Sequence, residues 1–95
     1  MIAKITADDI EKGLQRKGRE CPIARAIKRE TEDYCYVGST YIYVNKAPGV
    51  EFDCDMKLTQ WVNDFDEGNE VEPFEVFLDQ DLKSAIYVAS EGDDE

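Results

Sequence analysis

Between residues 50 and 58 the chain alternates without interruption. Val50, Phe52, Cys54, Met56 and Leu58 are apolar, and Glu51, Asp53, Asp55 and Lys57 between them are charged. A period of two belongs to a β-strand with one face buried and the other in water. A one-sided strand cannot stand alone. It needs neighbours to pair with its backbone and a second layer to cover its apolar side. The remaining sequence must therefore supply further strands and helices.

It supplies both. Met1–Ile5 reads as a short strand, after which Thr6 offers an N-cap and Asp8 and Asp9 fall in a first helical turn, where carboxylates suit the helix dipole. Ile10 and Leu14 share a face of this helix, Gly13 weakens it and Gly18 ends it. Cys21-Pro22 opens a second helix with proline at its first position, and Ile23, Ala26 and Ile27 form its buried stripe. Lys28 and Arg29 stand in its last turn, where cations suit the dipole. Tyr34–Val37 and Thr40–Val44 are strands, and Gly38-Ser39 predicts a type II′ hairpin between them. Asn45–Gly49 is a turn.

After the alternating strand, Thr59 caps a third helix that runs to about Asp66, with Trp61, Val62 and Phe65 on its apolar side and Gly68 after its end. Val71–Leu78 is a strand with Phe74, Val76 and Leu78 inward, and Pro73 near its start marks an edge or a lead-in position. Asp79–Asp81 is a turn, and Ala85–Val88 is a candidate for one more short strand. The expectation is an α+β fold of order β-α-α-β-β-β-α-β: one antiparallel sheet with helices packed on one face. Residues 1–90 form a single compact domain, and 91–95 form an acidic flexible tail.

Charge is the second constraint. The net charge of the 95 residues is −11, and it is unevenly spread. Residues 1–30 carry eight bases and five acids, net +3; residues 31–95 carry three bases and seventeen acids, net −14. An acidic chain of this kind repels nucleic acid and is steered towards basic partners. Such charge also serves solubility alone. Three cysteines without a CxxC pair, and no secretory pattern, predict reduced thiols in a cytoplasm.

Catalytic and cofactor chemistry find little support. The chain has no histidine, the commonest general base and metal ligand, so neither a metal nor another cofactor is expected. Cys21 at a helix N-terminus near Arg19 and Arg25 is in a setting that lowers a thiol pKa, but a nucleophilic cysteine also needs a base, so a capping or packed thiol is the better reading. Asp64–Glu70 is acidic without the spacing of a calcium loop. No catalytic residue is assigned.

Two surfaces remain. Glu51, Asp53 and Asp55 project from one strand face at steps of about 6.6 Å. Asp64, Asp66, Glu67, Glu70, Glu72 and Glu75 follow around the end of the third helix and into the next strand. Carboxylates at a helix C-terminus are locally unfavourable, which hints that something else favours them. Such a row could enter a basic groove that otherwise holds a phosphate backbone; a solvated face is the plain alternative. The alternating tyrosines Tyr34, Tyr36, Tyr41 and Tyr43 are core if a helix covers their sheet face, and interface anchors, Tyr41 and Tyr43 above all, if it does not.

The blocks Ile10-Glu11-Lys12-Gly13, Cys21-Pro22-Ile23-Ala24-Arg25-Ala26-Ile27, Trp61-Val62-Asn63-Asp64-Phe65-Asp66-Glu67-Gly68 and Val71-Glu72-Pro73-Phe74-Glu75-Val76 resemble a group of small proteins of bacteriophage and prophage genomes. Thr59 departs from that pattern, where a proline is expected before the third helix. The resemblance covers about residues 1–78 and implies a phage origin and the cytoplasm of an infected bacterial cell, and nothing catalytic. Two functions are compatible with these features. One is a non-enzymatic inhibitor that binds a basic host protein, such as a CRISPR effector or nuclease, by mimicking nucleic acid. The other is a phage accessory or structural protein that self-associates through its tyrosine-rich sheet.

Overall fold

The computed structural model describes residues 1–45 and 49–89. Its elements are β1 (Ile2–Ile5), α1 (Ala7–Lys12), α2 (Pro22–Thr31), β2 (Cys35–Val37), β3 (Tyr41–Val44), β4 (Val50–Cys54), α3 (Met56–Asp66), β5 (Phe74–Asp79) and β6 (Ser84–Ala89). The fold is α+β, with one six-stranded sheet of order β1-β5-β6-β4-β3-β2. The expected tail 91–95 and most of the turn 45–49 lie outside the described residues.

The sheet is mixed rather than purely antiparallel. β2, β3 and β4 form the expected meander, and β5 pairs antiparallel with both β1 and β6. The candidate sixth strand is real and sits in the middle of the sheet. It joins the two halves by running parallel to β4, with Asp53 opposite Ser84 and Cys54 opposite Ala85.

Alternation sets the two faces. Ala3, Ile5, Ile42, Val44, Phe52, Phe74, Val76, Leu78 and Ala85 point to one side and are buried. Ile23, Ala26 and Ile27 of α2 and Leu58, Trp61, Val62 and Phe65 of α3 join them in one core. Trp61 lies against Phe65 and Phe74, and Phe74 stacks on Tyr87 with ring centres 4.6 Å apart. The Trp61 indole N–H donates to the Glu72 carbonyl at 2.9 Å, so burial leaves no polar group unmatched there. α2 touches both edge strands, β1 and β2, so the sheet curls around it.

Both edges of the sheet are closed by local hydrogen bonds. The Arg29 guanidinium donates to the Lys4 carbonyl of β1 at 2.8 Å, and the Gly18 carbonyl accepts from the Val37 N–H of β2 at 2.9 Å. A Cβ on Gly18 would lie 2.5 Å from the Tyr36 ring, which is why this loop carries glycine where it crosses β2.

Several local expectations shift. The alternating run is not one strand: β4 stops at Cys54, and Asp55 turns the chain into α3 by accepting from the Leu58 N–H at 2.9 Å. Met56 therefore points to water, 88 % exposed, and Thr59 lies inside the helix. α1 ends at Lys12, before Leu14, which is exposed. In the β2–β3 hairpin Val37 faces Ile42 and the Gly38 N–H bonds to the Tyr41 carbonyl, so the reversal falls at Ser39–Thr40, and Gly38 has no positive φ.

Candidate functional site: the open sheet face

The three helices lie on one side, so the opposite side of the sheet is bare. From β1 to β2 it presents Ile2 and Lys4; Glu75, Phe77 and Asp79; Ser84, Ile86 and Val88; Glu51 and Asp53; Tyr41 and Tyr43; and Tyr36. Register places them in rows. Asp79, Ser84, Asp53 and Tyr41 are successive cross-strand neighbours, as are Glu51, Tyr43 and Tyr36. Strands lie about 4.8 Å apart, so Asp79 and Asp53 are separated by roughly 10 Å, and Asp53 and Glu51 by about 6.6 Å along β4. Among these described strand residues four are carboxylates and one, Lys4, is a cation.

The acids expected in one row thus divide. Glu51, Asp53 and Glu75 are on the open face, and Asp79, which sequence reasoning assigned to a turn, joins them there while accepting from the Asp81 and Leu82 N–H groups. Asp55 is used for structure: one oxygen caps α3 and the other accepts from the Tyr87 N–H at 3.3 Å. Asp64, Asp66, Glu67, Glu70 and Glu72 belong to the helix layer and its connection to β5. Two of them have local partners that explain their position at a helix end. Asp66 accepts from the Arg16 backbone N–H at 2.8 Å, and Asp64 accepts from the Gln60 and Asn69 side-chain amides.

Tyr34, Tyr36 and Tyr43 are exposed, and Tyr41, expected with Tyr43 as an anchor, is half-buried. Tyr36 and Tyr43 are a cross-strand pair on the open face, 42 % and 37 % exposed, and Tyr41 lies 5.9 Å from Tyr36, ring centre to ring centre. At the other end of the same face Ile2, Phe77, Ile86 and Val88 make an apolar patch. Its two poles are therefore aromatic and aliphatic, with carboxylates between.

The basic N-terminal third is organised around a carboxylate that sequence reasoning placed only as a helix-dipole partner. Asp9 is fully buried. It closes a capping box with Thr6 and receives both terminal nitrogens of Arg29 at 2.9 Å, while Arg25 Nε stands 3.4 Å away. Burial alone pushes its carboxyl pKa up, but the Arg29 and Thr6 hydrogen bonds and the Arg29 charge outweigh it and hold the pKa below the ordinary 3.8. Asp8 takes Lys12 and the far end of Arg25. The spacing Thr6-x-x-Asp9 is the signal that reveals the box; the partner twenty residues on has no local signature.

Cys21 is packed, as expected, but its pKa is not lowered. Its thiol is buried at the start of α2, and burial pushes its pKa up to about 11 despite the helix N-terminus. Burial likewise pushes Cys35 and Cys54 up to about 12. Among the described residues no group of three His, Cys, Asp or Glu side chains could hold a metal ion, and no helix is long and apolar enough to cross a membrane. No protein family, curated protein or solved structure matches this chain.

Proposed function

We propose that this chain is a non-enzymatic, phage-encoded inhibitor that docks its open sheet face into the cationic surface of a host protein that handles nucleic acid, such as a nuclease or CRISPR effector. The observation that carries this reading is the convergence of Glu51, Asp53, Glu75 and Asp79 on the one face no helix covers. Carboxylates at steps of about 6.6–10 Å from a rigid sheet offer a cationic groove a fixed array of negative charge. The partner's bound counterions are released as they are when it takes up a phosphate backbone. Tyr36, Tyr41 and Tyr43 on one flank and Ile2, Phe77, Ile86 and Val88 on the other supply what charge alone does not: apolar area that excludes water around the ion pairs. The phage origin rests on the four sequence blocks described above.

Self-association through the same tyrosines is the rival. Two copies meeting face to face would bring two sets of four carboxylates together, which disfavours that arrangement.

The test is capture from a phage-susceptible bacterial lysate on the immobilised protein, with mass spectrometry of what elutes. A basic nucleic-acid-binding protein, released by salt, displaced by DNA or RNA and lost with the Glu51→Lys/Asp53→Lys variant, is the expected result. Recovery of the chain alone, insensitive to salt and to the charge reversal, would sink this reading and favour self-association.

A further inference from the structure

The bases of this acidic chain are not equivalent. The groove of about 760 Å³ beside α2 is lined by Lys12, Arg19, Arg25, Lys28 and Arg29. It is largely neutralised from within, because Asp8 and Asp9 engage Lys12, Arg25 and Arg29. Of the bases without a carboxylate partner among the described residues, Lys4, Lys28, Lys57 and Lys83 are scattered over other elements, and three share one loop. Arg16, Lys17 and Arg19 lie on the loop between α1 and α2, which crosses the edge of the sheet at β2 and is tied there by the Gly18–Val37 hydrogen bond. Arg16 adopts a left-handed backbone, φ 60°, with its N–H held by Asp66, so the loop has a fixed course.

Aromatic rings meet these bases. A hollow of about 430 Å³ is lined by Arg19 together with Tyr34, Tyr36 and Tyr43. A second, of about 160 Å³, has Arg16, Lys17 and one carboxylate, Asp66, on its wall and shares Tyr36 with the first. Tyr34 is 63 % exposed, and the Lys28 ammonium sits 4.2 Å over its ring. Open rings on a sheet beside an unpaired cationic loop are the two halves of a single-strand binding platform: every base has a face to stack, and the loop meets the backbone phosphates. We infer that the β2 edge of this protein binds single-stranded nucleic acid, with bases on Tyr34, Tyr36 and Tyr43 and phosphates on Arg16, Lys17 and Arg19.

The net charge of the chain opposes this over long range, and local arrangement overcomes it at short range. At physiological salt, charges beyond roughly 8–10 Å are largely screened, so a strand on the loop experiences chiefly its three bases and Asp66, one of whose oxygens is taken by the Arg16 N–H. Glu51, opposite Tyr43, bounds the platform on its inner side and turns a phosphate chain towards the loop. The inference shares Tyr36 and Tyr43 with the open face and adds Tyr34, Arg16, Lys17 and Arg19, which the reading above does not use. With the reading above it gives a protein that could hold both a nucleic-acid-handling partner and the strand emerging from it.

Fluorescence anisotropy of a labelled oligo(dT) of about 15 nucleotides tests it, a length that spans the site sizes of known single-strand binders. Three phosphate contacts predict binding at low salt whose logarithm falls with log salt at a slope of about −2. Tyr36→Ala and Tyr43→Ala should each weaken binding roughly tenfold. Lys17→Glu/Arg19→Glu should abolish it with an unchanged circular-dichroism spectrum, and Asp53→Lys/Asp79→Lys, which disables the acidic face away from the platform, should not weaken it. Absence of binding at low salt by the folded protein would overturn the inference. So would equal binding of polyglutamate or duplex DNA, or indifference to the tyrosine substitutions, since each leaves charge without stacking.

Discussion

Replacing Arg29 by methionine tests how the N-terminal third is held. Methionine keeps an unbranched stem of similar reach and removes the guanidinium. Two hydrogen bonds to Asp9 and one to the Lys4 carbonyl are lost together. Asp9 remains fully buried, left with the Thr6 N–H and Arg25 Nε at 3.4 Å. Breaking a buried ion pair from one side costs about 3–5 kcal/mol. The Arg29 side chain is 45 % exposed, so part of its charge already faces water and the cost is discounted to about 2–4 kcal/mol. For a domain of this size that lowers Tm by roughly 10–25 °C. Urea unfolding followed by Trp61 fluorescence reads it directly. Asp9→Asn in the Arg29→Met background should cost less than alone, because the stranded charge goes with it. The pH dependence has a definite sign. The folded-state pKa of Asp9 lies below its ordinary 3.8, so its contribution is complete above that value and is lost as pH falls through the lower one. In Arg29→Met burial is no longer outweighed and the Asp9 pKa rises, so the gap between wild type and variant is full at high pH and narrows as pH falls through the variant's raised value. A cost under about 0.5 kcal/mol at high pH, or a gap that widens as pH falls, would refute the claim that Arg29 neutralises a buried carboxylate.

Asp55→Ala should lower stability by about 1–2 kcal/mol through loss of the α3 cap and of the Tyr87 hydrogen bond. The same change should leave capture of a cationic partner unaltered once folded, in contrast to Asp53→Lys; equal effects on capture would show that Asp55 contributes to the acidic face after all. The thiols, raised to between about 11 and 12, should resist alkylation at neutral pH in the native state and react on unfolding. Rapid native labelling of Cys21, followed by mass spectrometry, would contradict its burial.

Periodicity made most elements readable. The proline opening α2, the Thr6 box and Gly68 at φ 84° act within a few residues, and local signals of that range survive in sequence. The alternation from Val50 to Leu58 misled because Leu58 is buried from a helix by the same parity that a strand would give it; only the cap made by Asp55 separates the two. The parallel β4–β6 contact was illegible, since two paired residues thirty-one positions apart leave no periodic trace. The candidate site was half legible. Which acids share a face followed for β4, where alternation is local, and not for Asp79, whose membership depends on the register of β5 against β6. Whether the tyrosines were covered depended on the side chosen by α2 and α3, which their own stripes do not specify.

The central position of β6 governs when this protein can exist. Without Ser84–Ala89, the pair β1–β5 and the meander β2–β3–β4 share no strand contact. Ile2 must moreover wait for Phe77. A ribosome adding about 5–20 residues per second needs roughly 4–17 s to reach residue 84, and until then no closed sheet is available to the nascent chain. The six-stranded sheet is therefore completed late, and the acidic face, with Glu51 and Asp53 on β4 and Glu75 and Asp79 on β5, is whole only once β6 lies between them.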